Sequence, residues 1–124
     1  MLKARLAKLT RPRTEGLLRR ERLFALLDEA RSEPMVWIAA PPGAGKTTLL
    51  ASYVEQRGLA CSWYQVDSTD NDPATAFIAL RECLPPRARK LPEFSEEHAA
   101  NLSAFAQRYF RALFAQLQAG FMLI

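Results

Sequence analysis

The 124-residue sequence contains no apolar run approaching the ~20 residues that a membrane-crossing helix needs, so no membrane partner is expected. It has two cysteines, Cys61 and Cys83, and one histidine, His98, none of them at metal-ligand spacing. That excludes a disulfide framework and a zinc module, and it reads as reduced thiols in a cytoplasmic protein. The opening segment MLKARLAKLTRPR has no acidic residue, but it lacks a secretory apolar core and is too short and too poor in serine for a transit peptide. No apolar strand-like run ends in an acidic pair.

Charge is unevenly placed. Residues 1–22 hold eight basic residues against Glu15 and Glu21, a local +6, while the whole chain carries +4, so the remainder carries −2. Residues 1–18 also contain Pro12 and Gly16 and show no sustained period, which reads as a basic extended arm ahead of a domain spanning 19–124.

Within RRERLFALLDEARS, residues 19–32, Leu23, Leu26, Leu27 and Ala30 recur at the spacing of one helical face, and Glu33-Pro34 ends the pattern. MVWIAA at 35–40 and CSWYQV at 61–66 read as buried strands, with Trp37 and Trp63 in the core. A helix is expected from Lys46 to Gln56, with Gly58 just past its end. Asp67, Asp70 and Asp72 read as turn and cap residues, with Asp72 capping a helix that opens on Pro73 and stops before Pro85. Ser95, Glu96 and Glu97 mark the start of another helix, whose stripe is Leu102, Phe105, Ala106, Tyr109, Phe110, Leu113, Phe114 and Leu117. His98 has no partner at ligand spacing. FMLI, after Gly120, reads as the beginning of a third strand. Alternation of this kind indicates an α/β domain, a parallel sheet flanked by helices.

The stretch APPGAGKT, residues 40–47, fits the phosphate-loop pattern G-x-x-x-x-G-K-[ST] with Ala40 in the first position, between a strand-like run and a helix start. Polyphosphates are anionic and need several donors around one centre, which consecutive backbone N–H groups of a curled loop supply. Pro41 and Pro42 have no N–H, so the cradle is assigned to Gly43, Ala44, Gly45, Lys46, Thr47 and Thr48. Gly43 and Gly45 allow backbone angles that a β-carbon opposes. Lys46 brings charge to the β- and γ-phosphates, the Thr47 hydroxyl is the candidate Mg²⁺ ligand, and the helix N-terminus adds partial positive charge. Thr48 reads either as a donor or as an ordinary first-turn residue. ATP with Mg²⁺ is the expected cofactor pair. The motif leaves an NTPase incomplete, because a carboxylate at the end of another strand is also needed. A strand continuing from FMLI into Asp-Asp or Asp-Glu would supply it.

Four stretches in order, KLTRPR at 8–13, LRRERL at 18–23, AAPPGAGKTTLL at 39–50 and WYQVDSTDNDP at 63–73, resemble the N-terminal ATPase domain of the large ATP-binding LuxR-type transcriptional activators. These belong to the STAND class of P-loop, AAA+-like ATPases. The resemblance implies a P-loop NTPase fold cut at the strand that carries the Walker B carboxylates, and therefore a fragment. It also implies ATP-gated, inducer-dependent self-association, and promoter DNA binding by domains outside this sequence. The complete protein would be a slow ATPase, and this chain is expected to bind nucleotide without completing hydrolysis. By the same resemblance Arg19 or Arg20 lies near the adenine. Where many members have Gly-Tyr-Gly-Lys, this chain has Gly43-Ala44-Gly45-Lys46.

Two other readings compete. A small-molecule kinase would use PRARK, residues 86–90, as an arginine-rich lid; the plain alternative is a solvated loop. A nucleic-acid binder would use the basic arm.

Overall fold

The computed structural model describes residues 8–13 and 20–124, which fall into two compact units. One lies within Pro12–Leu59; the other joins residues 8–11 to Ala60–Ile124.

In the first unit, helix α1 spans Glu21–Ala30 and helix α2 spans Lys46–Gln56. Phe24 and Leu27 of α1 and Tyr53 of α2 form the core, with Ile38, Leu49 and Leu59 packed against them. Phe24 meets Tyr53 edge to face at 5.5 Å between centroids. Leu26, expected on the buried face, is exposed. It lies two residues from Phe24, about 200° around the helix, so one face cannot hold both. An ionic clasp flanks this core. Asp28 accepts from the Tyr53 hydroxyl at 2.7 Å and from Arg57 Nε and Nη2 at 3.0 and 2.9 Å. The Arg57 guanidinium also lies over the Phe24 and Tyr53 rings. Hydrogen bonds from Arg57 and then Tyr53 hold the Asp28 carboxyl at about 2, below its ordinary 3.8.

The strand expected at 35–40 is not formed among the described residues. Met35 and Trp37 are 78% and 85% exposed, which corrects the core assignment of Trp37. An apolar run becomes a strand only when a neighbouring strand takes its N–H and C=O groups, and no described strand pairs there.

The second unit contains a parallel two-stranded sheet. Strand β1, Cys61–Ser62, pairs with β2, Met122–Leu123, in the register Cys61 with Met122 and Ser62 with Leu123. β1 is shorter than the run 61–66 suggested, but its hydrogen bonding continues: the Tyr64 N–H donates to Ile124 O and the Gln65 N–H to Lys8 O. Successive amides of an extended chain point to opposite sides, so this segment has β2 on one side and residue 8 on the other. Between the strands lie helix α3, Pro73–Cys83, and helix α4, Leu102–Gln116. Asp72 caps α3 by accepting from the Thr75 N–H at 3.1 Å, with Pro73 at its first position. The expected helix start at Ser95 opens instead a 3₁₀ helix, Glu96–Asn101; the Asn101 side chain then caps α4. His98 lies in the first turn of this 3₁₀ helix and accepts the Ser95 N–H at 3.0 Å, a capping contact rather than a metal-ligand one.

Leu84, Ala88, Phe105, Tyr109 and Leu113 form the core of this unit. Phe77 of α3 contacts Phe94, Phe105 and Tyr109 at centroid distances of 5.8, 4.8 and 4.7 Å. The broad stripe of α4 is only partly covered, because Phe110 and Phe114 remain exposed. Trp63 is buried, as expected.

The N-terminal segment enters this unit through Lys8, which is only 7% exposed. Its three ammonium protons meet Asp67 Oδ1 at 3.1 Å, Thr69 Oγ1 at 3.2 Å and Asp70 Oδ2 at 2.7 Å, so the buried charge is fully satisfied. Burial lowers the lysine pKa, but the hydrogen bonds it donates to Asp70 and Asp67 outweigh that and hold the amine above its ordinary range. Tyr64 joins the cluster by donating to Asp70. No helix among the described residues is long and apolar enough to cross a membrane.

Two outcomes test this packing. The Tyr109 hydroxyl donates to the Phe77 carbonyl at 2.8 Å inside the core. Tyr109→Phe is expected to cost about 1–2 kcal/mol in urea unfolding, and Leu113→Ala about 2–5 kcal/mol; two variants as stable as the parent chain would contradict the assignment. Because the Asp28 pKa is depressed, the clasp contributes stability above about pH 4 and loses it as pH falls toward 2. A carboxyl NMR titration should place the Asp28 midpoint near 2 and move it toward 3.8 in Arg57→Ala, and an unmoved midpoint counts against the clasp.

Candidate functional site

The stretch from Ala40 to Thr48 is curled. Pro41 and Pro42 give no amide hydrogen, and the Pro41 carbonyl accepts the Ala44 N–H at 3.2 Å, closing a tight turn. The Ala44 amide, one of the six expected donors, is thereby engaged within the loop. Gly43 and Gly45 have φ of +80° and +87°, the left-handed region that disfavours other residues. At Gly45 space is also tight: a β-carbon would lie 3.0 Å from Arg20 Nη2 and 3.2 Å from Thr48 Oγ1, so those side chains would have to give way.

Gly45 is the N-cap of α2. The first bond of the helical ladder runs from the Leu49 N–H to Gly45 O at 2.9 Å. The N–H groups of Lys46, Thr47 and Thr48 precede it and have no intrahelical acceptor. They share the positive end of the helix dipole. The Thr48 hydroxyl donates back to Gly45 O at 2.9 Å, which is ordinary first-turn behaviour and leaves its amide as the relevant group. Thr47 is exposed on the same turn. The Lys46 amine arches back over the loop to the carbonyls of Ala40 and, at 3.4 Å, Pro41.

A second cation stands beside the loop. Arg20 Nη1 donates to Ala44 O at 3.3 Å. Sequence spacing gave no signal for this contact, since the two residues are separated by 24 positions. Arg19 lies outside the described residues, as does most of the basic arm.

Other residues singled out by the sequence are committed elsewhere. Asp67 and Asp70 cap a 3₁₀ turn, Ser68–Asn71, and hold Lys8; Asp72 caps α3. The PRARK segment is anchored rather than free: Arg89 Nε donates to Leu84 O at 2.8 Å, Arg87 reaches Gln118, and Lys90 exchanges two hydrogen bonds with Gln116. Among the described residues no group of three or more His, Cys, Asp or Glu side chains is placed to hold a metal. Cys61 and Cys83 are free thiols whose pKa values are raised by burial, Cys83 to about 11.

The chain is 33% identical over 112 residues to the HTH-type transcriptional regulator MalT of Vibrio cholerae, a match covering 82% of this chain. MalT of Cronobacter sakazakii is 33% identical over 119 residues, 90% of this chain, and MalT of Yersinia pestis 35% over 111 residues, 84% of it. The chain spans 12% of the length of these curated relatives. These similarities bear out the resemblance to the N-terminal region of MalT-type LuxR activators. No solved structure matches the chain. The family model described as "Nephrocystin 3, N-terminal" matches residues 14–123, nearly the whole sequence, and the chain belongs to that family.

Proposed function

We propose that this chain is a nucleotide-responsive module of a transcriptional regulator, and that residues 43–48 bind the phosphates of ATP. The observation that carries the reading is the paired left-handed glycines, which turn the chain so that a helix opens with free amides beside a lysine. Anion binding at such a helix start needs no further charge, and Lys46 adds a full one. Its amine rests on two backbone carbonyls, neutral partners that a phosphate would outcompete by charge. Gly43, Gly45, Lys46, Thr47 and Thr48 are the assigned ligands. Ala44 contributes shape, since its amide is already paired.

Mg²⁺ fits this arrangement as a partner of the phosphates, because it keeps most of its water and takes few protein ligands. The exposed Thr47 hydroxyl would be its ligand from this chain, and the ion would neutralise charge shared by the β- and γ-phosphates. No catalytic residue is assigned, so the reading is one of binding and signalling.

The regulator role is supported by the MalT relatives, whose name states that activity. In that setting ATP occupancy would gate inducer-dependent self-association, with promoter DNA bound by other parts of the protein. The kinase reading loses support because its lid segment is anchored at Arg87, Arg89 and Lys90. Nucleic-acid binding by the arm loses the Lys8 charge, which is neutralised internally.

Titration of the full chain with a fluorescent ATP analogue and Mg²⁺ tests the proposal. Lys46→Ala removes a charge-assisted contact and should weaken binding about tenfold to a hundredfold. Unchanged affinity in that variant would overturn the site.

A further inference from the structure

We infer that Arg20 is a positioning residue of the loop: by holding the Ala44 carbonyl, its guanidinium fixes the direction of the Gly45 N–H. The inference rests on the nucleotide reading for its functional meaning, but its structural content stands alone. The 44–45 peptide is planar and trans, so its C=O and N–H point in opposite directions. Arg20 Nη1 takes the carbonyl at 3.3 Å, and Nη2 lies 3.0 Å from where a Gly45 β-carbon would sit. The guanidinium therefore lies along the carbonyl side of this peptide, and the Gly45 N–H is turned away from it.

That peptide needs such a hold. The one before Ala44 is fixed by the turn bond to Pro41 O, and Gly45 O is fixed by Leu49 and Thr48. The plane between them borders a glycine that accepts either sign of φ, so it can flip at little steric cost. A flip would put a carbonyl where a phosphate donor is required, replacing attraction with repulsion. Arg20 supplies the hold from another element. Its carbonyl accepts the Phe24 N–H at 2.9 Å at the start of α1, and α1 is fixed to α2 by Phe24 on Tyr53 and by Asp28 on Tyr53 and Arg57. The chain of contacts begins and ends on the helix that the loop opens.

The test uses the ¹⁵N-labelled full chain with Arg20→Leu and Arg20→Lys. Without nucleotide, the Gly45 amide resonance of Arg20→Leu is expected to shift strongly or split, with the thermal midpoint unchanged because Arg20 is exposed. Affinity for Mg²⁺ with ATP and with ADP should fall equally, by about fivefold, and Arg20→Lys should restore part of it. A Gly45 amide unaltered in folded Arg20→Leu overturns the inference. A loss much larger for ATP than for ADP also overturns it, because Arg20 would then be a direct ligand of the terminal phosphate. Should Lys46→Ala bind ATP normally, the nucleotide reading fails, while the nucleotide-free Gly45 resonance still decides whether Arg20 orients the peptide.

Discussion

The left-handed backbone at Gly45 is the constraint on which the loop depends. A φ of +87° turns the chain sharply into α2, so that the helix begins with three amides ahead of its first internal bond. The same residue leaves room for Arg20 and for the Thr48 hydroxyl. Any side chain there would meet a conformational penalty and would press on both of those groups. Everything assigned to the loop, from the lysine that arches over it to the threonine on its first turn, follows from that change of direction.

The two units are organised by different kinds of contact. In the α1–α2 unit a small aromatic core is flanked by an exposed carboxylate clasp, so its ion pair is tuned by solvent and pH. In the other unit a buried ammonium is surrounded by three oxygens, and it brings the N-terminal segment beside β1. A lysine tolerates burial only when all of its donors are met, and the D-S-T-D turn at 67–70 offers the oxygens at the right spacing. The acidic turn following β1 thus holds Lys8 in place.

Local signals were legible in the sequence. The bounds of α2, the Asp72 cap with Pro73 behind it, the glycine loop and the parallel strand at FMLI all follow from short-range rules of propensity, capping and periodicity. What could not be read was set by pairing at a distance. MVWIAA has strand composition but no described partner, so Trp37 is exposed, and the broad stripe of α4 buries only the Phe105, Tyr109 and Leu113 line. The hold of Arg20 on Ala44, the Asp28 clasp and the Lys8 cluster join residues 24 to 62 positions apart, and no spacing rule announces them. His98 has a partner three residues away, but a capping histidine is an unusual variant of the Ser-x-x-Glu pattern.

The central claim is that backbone amides and Lys46 recognise a polyphosphate rather than a base. Competition against bound MgATP, by inorganic tripolyphosphate on one side and adenosine on the other, tests it most directly. Displacement by tripolyphosphate with no effect of adenosine is the predicted result; displacement by adenosine alone would contradict it.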